Sequence, residues 1–161
     1  MKLYKIKKSN IDKRGLYASK DIKEGSKIIE YIGKIITKKE SEKNNKFDND
    51  KDIFLFNLND KYDLDGDFKF NTARLINHSC DPNCEVVGKE LKLWISAIRN
   101  IKKGEELTYD YGFSYDKDYK QFPCKCGMNN CIGYIVRSGS RWRINKKFRK
   151  QKTLINNFFQ K

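Results

Sequence analysis

The sequence predicts a β-rich α+β domain, and three observations carry that reading. Short apolar runs rich in aromatic and β-branched residues recur at residues 3–6, 28–36, 53–58, 85–87 and 91–98, which is how partly buried strands read. Gly, Asn and Asp punctuate the gaps between them, as turns require. Helix signals are few: Thr37-Lys38-Lys39-Glu40 has the form of a capping box that opens a short helix reaching Asn44, and residues 72–76 have room for one or two turns.

A chain of 161 residues fits one domain large enough to bury a core. Its hydrophobic share of 38%, with 13% aromatic, argues for a folded, aromatic-rich domain and against disorder. Nine of the fourteen excess positive charges lie in residues 137–161, which hold no acid. A basic surface favours acidic partners such as nucleic acid, and a merely solvated lysine-rich face reads the same way. The basic start, Met1-Lys2-Leu3-Tyr4-Lys5, is followed by no apolar run. The expectation is therefore an intracellular chain with no membrane contact. In a reducing compartment the five cysteines suit a metal better than disulfides.

Three features of organisation stand out. Ala18-x-x-x-Ile22-Lys23-x-Gly25 is echoed by Ala97-x-x-x-Ile101-Lys102-x-Gly104, the same turn chemistry used twice. The polar stretch 37–52 reads as a surface insertion. From Arg141 onward, Ile144, Phe148, Ile155 and Phe159 share one helical stripe, so residues 137–161 read as a basic helical extension that docks on its own domain.

Chemistry-bearing residues fall in three clusters: Asn77-His78-Ser79-Cys80, then Thr108-Tyr109-Asp110-Tyr111-Gly112, then Cys124-Lys125-Cys126 with Cys131. The last supplies three thiolates, one short of a tetrahedral set, and Cys80, Cys84 or His78 can complete it. A zinc nucleobase deaminase needs His-x-Glu and Pro-Cys-x-x-Cys. Here His78 precedes Ser79-Cys80 and Pro123 precedes Cys124-x-Cys126, so that reading fails.

In this order the motifs resemble the core and tail of a SET-domain protein lysine methyltransferase, over residues 11–136, in the compact stand-alone form found in bacteria and viruses. The resemblance implies several small β-sheets, a knot-like crossing of segments 77–84 and 108–112, and a zinc-stapled post-SET tail. The divisions are 1–115 for the SET domain, 120–136 for the post-SET segment and 137–161 for the extension. It selects Cys80 as the fourth ligand beside Cys124, Cys126 and Cys131. It implies S-adenosylmethionine as methyl donor, held by the turn of Asp12, Arg14 and Gly15, by Tyr31, by Arg74, Asn77 and His78, and by Lys125 and Ile132 over the adenine. Lys13 stands where the family carries a glycine, and Phe54 where many relatives carry Tyr.

Tyr111 is the catalytic residue that the resemblance implies, with Tyr109 and Tyr31 beside it. A lysine amine with a pKa of about 10.4 is neutral at pH 7 only about once in several thousand molecules. A sulfonium neighbour and a dry channel both disfavour the ammonium, leaving positioning and desolvation to carry catalysis. Tyr109 occupies the family's Tyr/Phe position, and a hydroxyl there implies mono- or dimethylation. The expected substrate is a protein lysine on a histone-like, ribosomal or host protein. The competing expectation is a catalytically idle zinc-stapled module that binds nucleic acid or chromatin through the basic tail.

Overall fold

A computed structural model of the chain describes residues 2–47 and 54–147. Strands β1 (Tyr4–Lys8) and β2 (Arg14–Ala18) form an antiparallel pair with Tyr4 opposite Ala18. Strands β3 (Lys27–Tyr31) and β4 (Lys34–Thr37) belong to different sheets, although residues 28–36 read as one apolar run. The break lies at Gly33, where a Cβ would stand 2.0 Å from the Asp65 carbonyl oxygen, so only a bare backbone passes. Thr37 then caps helix α1 (Lys38–Glu42) through the reciprocal Thr37–Glu40 hydrogen bonds of a capping box.

Strands β5 (Leu55–Asn57) and β6 (Tyr62–Asp65) complete the sheet ordered β4-β6-β5. β6 escaped sequence reading because its buried positions include Asp63 and Asp65. Asp63 accepts from Ser41 Oγ at 2.7 Å and pairs with Lys38, while Asp65 pairs with Lys46 at 2.7 Å. Each buried charge thus has a partner, as burial demands. A 3₁₀ turn, Thr72–Leu75, leads into the two-residue strand β7 (Asn77–His78). Strands β8 (Cys84–Lys89) and β9 (Lys92–Ala97) form a hairpin, and β9 lies between β8 and β3. The last strand, β10 (Thr108–Tyr109), pairs in parallel with β7, setting Tyr109 opposite His78. The segments expected to cross are thereby side by side.

The sequence echo has a structural counterpart. Ile22 and Ile101 exchange backbone hydrogen bonds of 2.8 and 2.9 Å. Gly25 N–H donates to the Ala97 carbonyl at 2.8 Å, and Gly104 N–H donates to the Ala18 carbonyl at 2.9 Å. Gly25 and Gly104 both sit at positive φ, +77° and +92°. The two turns therefore clasp one another about a local two-fold relation. Ala18, Ile22, Ala97 and Ile101 are all buried in the main core, with Leu16, Ile76, Ile95 and Leu107.

Beyond β10, a 3₁₀ turn (Tyr119–Gln121) precedes the cysteine motif, and a second (Ser138–Arg143) follows it. The described start of the basic extension is thus 3₁₀ and packed on the domain. Phe148, Ile155 and Phe159 of the expected helical stripe lie outside the described residues, as does Ile53. Among the described residues no helix is long and apolar enough to cross a membrane.

Candidate active site and metal centre

Asn77 is buried at the meeting point of β7, β10 and the turn before β2. Its side-chain amide nitrogen lies among four acceptors: Glu106 Oε1 at 2.8 Å, Ser9 Oγ at 3.0 Å, the Arg14 carbonyl at 3.2 Å and the Asp12 carbonyl at 3.3 Å. Asn77 therefore braces the 12–15 turn against β7. Glu106 is the hub behind it, also accepting from Ser9 Oγ at 2.7 Å and from the Tyr17 hydroxyl at 2.8 Å. Sequence reasoning missed Glu106 and Ser9, because a glutamate in Glu105-Glu106 reads as a surface acid. Only the Thr-Tyr-Asp-Tyr motif two residues on hinted at its place.

The turn itself explains two residue choices. Gly15 has no room for a side chain: a Cβ would stand 2.2 Å from Glu106 Oε1 and 3.2 Å from Asn77 Nδ2. Gly15→Ala is expected to push Glu106 off Asn77 and to cost about 1–3 kcal/mol of stability, read by denaturant unfolding, as overpacked sites do. Lys13 takes φ +40°, the left-handed region where a side chain is strained. Lys13→Gly is expected to stabilise the fold by about 1 kcal/mol, seen as a higher unfolding midpoint at unchanged slope.

His78 is buried, and its Nδ1 accepts the Tyr111 backbone N–H at 3.1 Å. That acceptance fixes the ring proton on Nε2, which faces Cys80 Sγ at 3.7 Å. Asp110 Oδ1, 3.8 Å from Nδ1, is therefore a neighbour of a neutral ring rather than its ion-pair partner. The Tyr111 hydroxyl donates to the Ile76 carbonyl at 3.0 Å. Ring contacts continue from Tyr111 to Tyr109 at 4.9 Å between centroids, from Tyr109 to Phe56 at 6.1 Å, and from Phe56 to Tyr31 at 4.6 Å. Gly66 lies flat on Tyr31, where a Cβ would be 2.2 Å from the ring. Burial pushes the Tyr31 and Tyr109 phenols well above their ordinary range, so both keep their protons.

A cavity of about 520 Å³ opens beside this aromatic series, within the roughly 300–1,000 Å³ of small-molecule sites. Asp12, Arg14, Arg74, Asn77, His78, Tyr111 and Lys125 line it, with Lys13 and Phe54. Arg74 lies over the Phe54 ring at 5.5 Å and contacts Asp67 at 3.4 Å. Gly15, Tyr31 and Ile132 are not part of the lining. Ile132 follows directly on Cys131, the last of the motif cysteines. Phe122, Cys124 and Ile135 bring the tail into the wall.

The Sγ atoms of Cys80, Cys124, Cys126 and Cys131 lie within 4.8 Å of one another, with Cys80 and Cys124 at 3.8 Å. Tetrahedral zinc–sulfur bonds of about 2.3 Å imply sulfur–sulfur edges of about 3.8 Å, so the four thiols fit that ion. The Cys80 N–H donates to Cys126 Sγ at 3.5 Å and the Gly133 N–H to Cys131 Sγ at 3.4 Å. The hydrogen bond between the Cys80 and Cys124 sulfurs pulls the Cys80 thiol down and pushes the Cys124 thiol up. Cys84 is buried away from the set, and burial pushes its thiol up to about 12.

Residues 13–112 match the family model described as the SET domain. The chain belongs to the SET-domain family. Within this SET protein, relatives align well past the matched segment. Human histone-lysine N-methyltransferase 2D is 42% identical over 132 residues, covering 78% of this chain and 2% of the relative. The Schizosaccharomyces pombe H3 lysine-4 specific histone-lysine N-methyltransferase is 42% identical over 135 residues, covering 79% of this chain and 14% of the relative. The Drosophila virilis histone-lysine N-methyltransferase trithorax is 38% identical over 135 residues, covering 80% of this chain and 3% of the relative. This SET protein thus spans a small part of each. The β-rich fold of small sheets and the cysteine cluster near the C-terminus both agree with the family.

Proposed function

We propose that the chain is an S-adenosylmethionine-dependent protein-lysine N-methyltransferase, with Cys80, Cys124, Cys126 and Cys131 holding structural zinc. One observation carries the reading: Tyr111 belongs both to the lining of the charged cavity and to the aromatic series that runs through Tyr109 to Tyr31. A donor held in the cavity and an acceptor held among the rings would share that residue. S-adenosylmethionine, when bound, supplies a sulfonium methyl. Asp12, Arg14, Arg74, Asn77, His78 and Lys125 would hold it, and Gly15, Tyr31 and Ile132 complete the proposed site from outside the cavity lining. Tyr111 is fixed at its backbone by His78 and at its hydroxyl by the Ile76 carbonyl, so its ring edge is set before any substrate arrives. Tyr31 and Tyr109 remain neutral and dry, which disfavours a lysine ammonium among them.

The relatives' names point to a histone-like lysine as substrate. Methyl transfer from labelled cofactor to a lysine-rich protein pool, with Tyr111→Phe as control, tests the reading. Signal in the wild type alone supports it. Nucleic-acid binding without transfer to any pool would favour the idle module instead.

Tyr109 is buried and keeps its phenol proton. Its hydroxyl limits the room for added methyls, which favours mono- or dimethylation. Tyr109→Phe is expected to shift products toward higher methylation, read by intact mass of a substrate peptide. Predominant trimethylation by the wild type would contradict this.

A further inference from the structure

We propose that Arg141, ten residues beyond the last cysteine of the motif, is a positioning residue that ties the catalytic strand end to the metal cluster. It is 1% exposed, whereas the other described basic residues of the extension, Arg137, Arg143, Lys146 and Lys147, are exposed. Its Nη2 donates to Asp110 Oδ2 at 2.8 Å, its Nη1 to the Cys80 carbonyl at 2.6 Å and its Nε to the Val136 carbonyl at 2.9 Å. A guanidinium taken out of water is costly, and its stability return is small, so its geometry is the informative part.

What it touches is the frame of the site. Asp110 separates Tyr109 from Tyr111, and besides Arg141 it accepts from the Gly112 N–H at 3.0 Å and the Ser138 N–H at 2.9 Å. Cys80 is gripped at its carbonyl by Arg141 and by Asn130 Nδ2 at 3.2 Å, while its sulfur faces His78. The circuit closes through His78, which holds the Tyr111 backbone. Arg141 therefore links Tyr111 to a metal ligand by a second route, independent of His78.

Full-length protein carrying Arg141→Lys or Arg141→Met tests this. Zinc affinity is measured by chelator competition, cobalt-loaded protein by its thiolate absorption bands, and methyl transfer by kcat and cofactor KM. Arg141→Lys keeps the charge and loses the fork, so it should behave like Arg141→Met. Both should bind zinc about 10–100-fold more weakly, as loss of a residue supporting a metal ligand does. Both should alter the cobalt bands, and both should lower kcat about tenfold or more with a smaller change in KM. Should Arg141→Met fail to fold, Arg141→Lys decides alone. Zinc affinity, cobalt bands and kcat within twofold of wild type in Arg141→Lys overturn the role. So does a kcat loss with zinc affinity and cobalt bands unchanged. The kinetic half presupposes methyl transfer; the metal half does not. An inactive wild type would sink the functional reading, while zinc affinity and cobalt bands would still decide the link.

Discussion

Replacing Tyr111 by Phe is expected to lower kcat for methyl transfer by about 100-fold or more, with cofactor affinity nearly unchanged. The ring would survive, since its contacts with Tyr109 at 4.9 Å, Phe113 at 5.8 Å and His78 at 5.3 Å need no hydroxyl. The lost group is the hydroxyl that now rests on the Ile76 carbonyl. When reacting groups must meet in line, a displacement of about 1 Å can cost about 100-fold. Rapid-quench transfer with the variant and equilibrium cofactor binding give the two numbers. Equal loss in both would make Tyr111 a wall of the cavity rather than a catalytic group. The wild-type rate should also rise with pH above 7 as the substrate amine loses its proton. Tyr31 and Tyr109, held neutral by burial, should not interrupt that rise.

Stripping the metal is expected to abolish cofactor binding as well as turnover. The tail supplies Gln121, Phe122, Cys124, Lys125 and Ile135 to the cavity wall. Val136 is its one fully buried aliphatic among the described residues 114–147. Structural zinc contributes folding energy outright, about 10–16 kcal/mol in small zinc peptides near neutral pH. Chelation should therefore release residues 120–136 to proteolysis and weaken cofactor binding at least about 100-fold, with recovery on adding zinc. Cys124→Ser should do the same without chelator. A chelated protein that binds cofactor like the holoprotein would remove the structural role assigned to the cluster.

Much of this was legible in the sequence, and the losses have physical causes. The strands carrying alternating apolar residues were visible, as was the Thr37 cap, because both signals are local. β2 and β6 were not: Arg14–Ala18 hides a core-facing Leu16 behind a glycine turn, and β6 buries two aspartates. The cysteine spacing announced a metal, and residues alone left the fourth ligand open among Cys80, Cys84 and His78. Distances settle which thiols gather, since Cys80 joins the other three and Cys84 does not. Half-buried Glu106 and buried Arg141 were invisible because nothing local distinguishes a charge held in a network from a solvated one. Their side-chain partners Asn77 and Asp110 lie 29 and 31 residues away.

The mutual clasp of residues 18–26 and 97–105 has a consequence for biogenesis. Its halves are separated by about half the polypeptide, and strands β3 to β9 lie between them in the sequence. On a ribosome the first half must wait, unpaired, until the second emerges. Closing so long an interval adds little to its entropic penalty but slows the encounter. Assembly should then be limited by this late handshake, and nascent chains cut short before residue 105 should remain sensitive to chaperones.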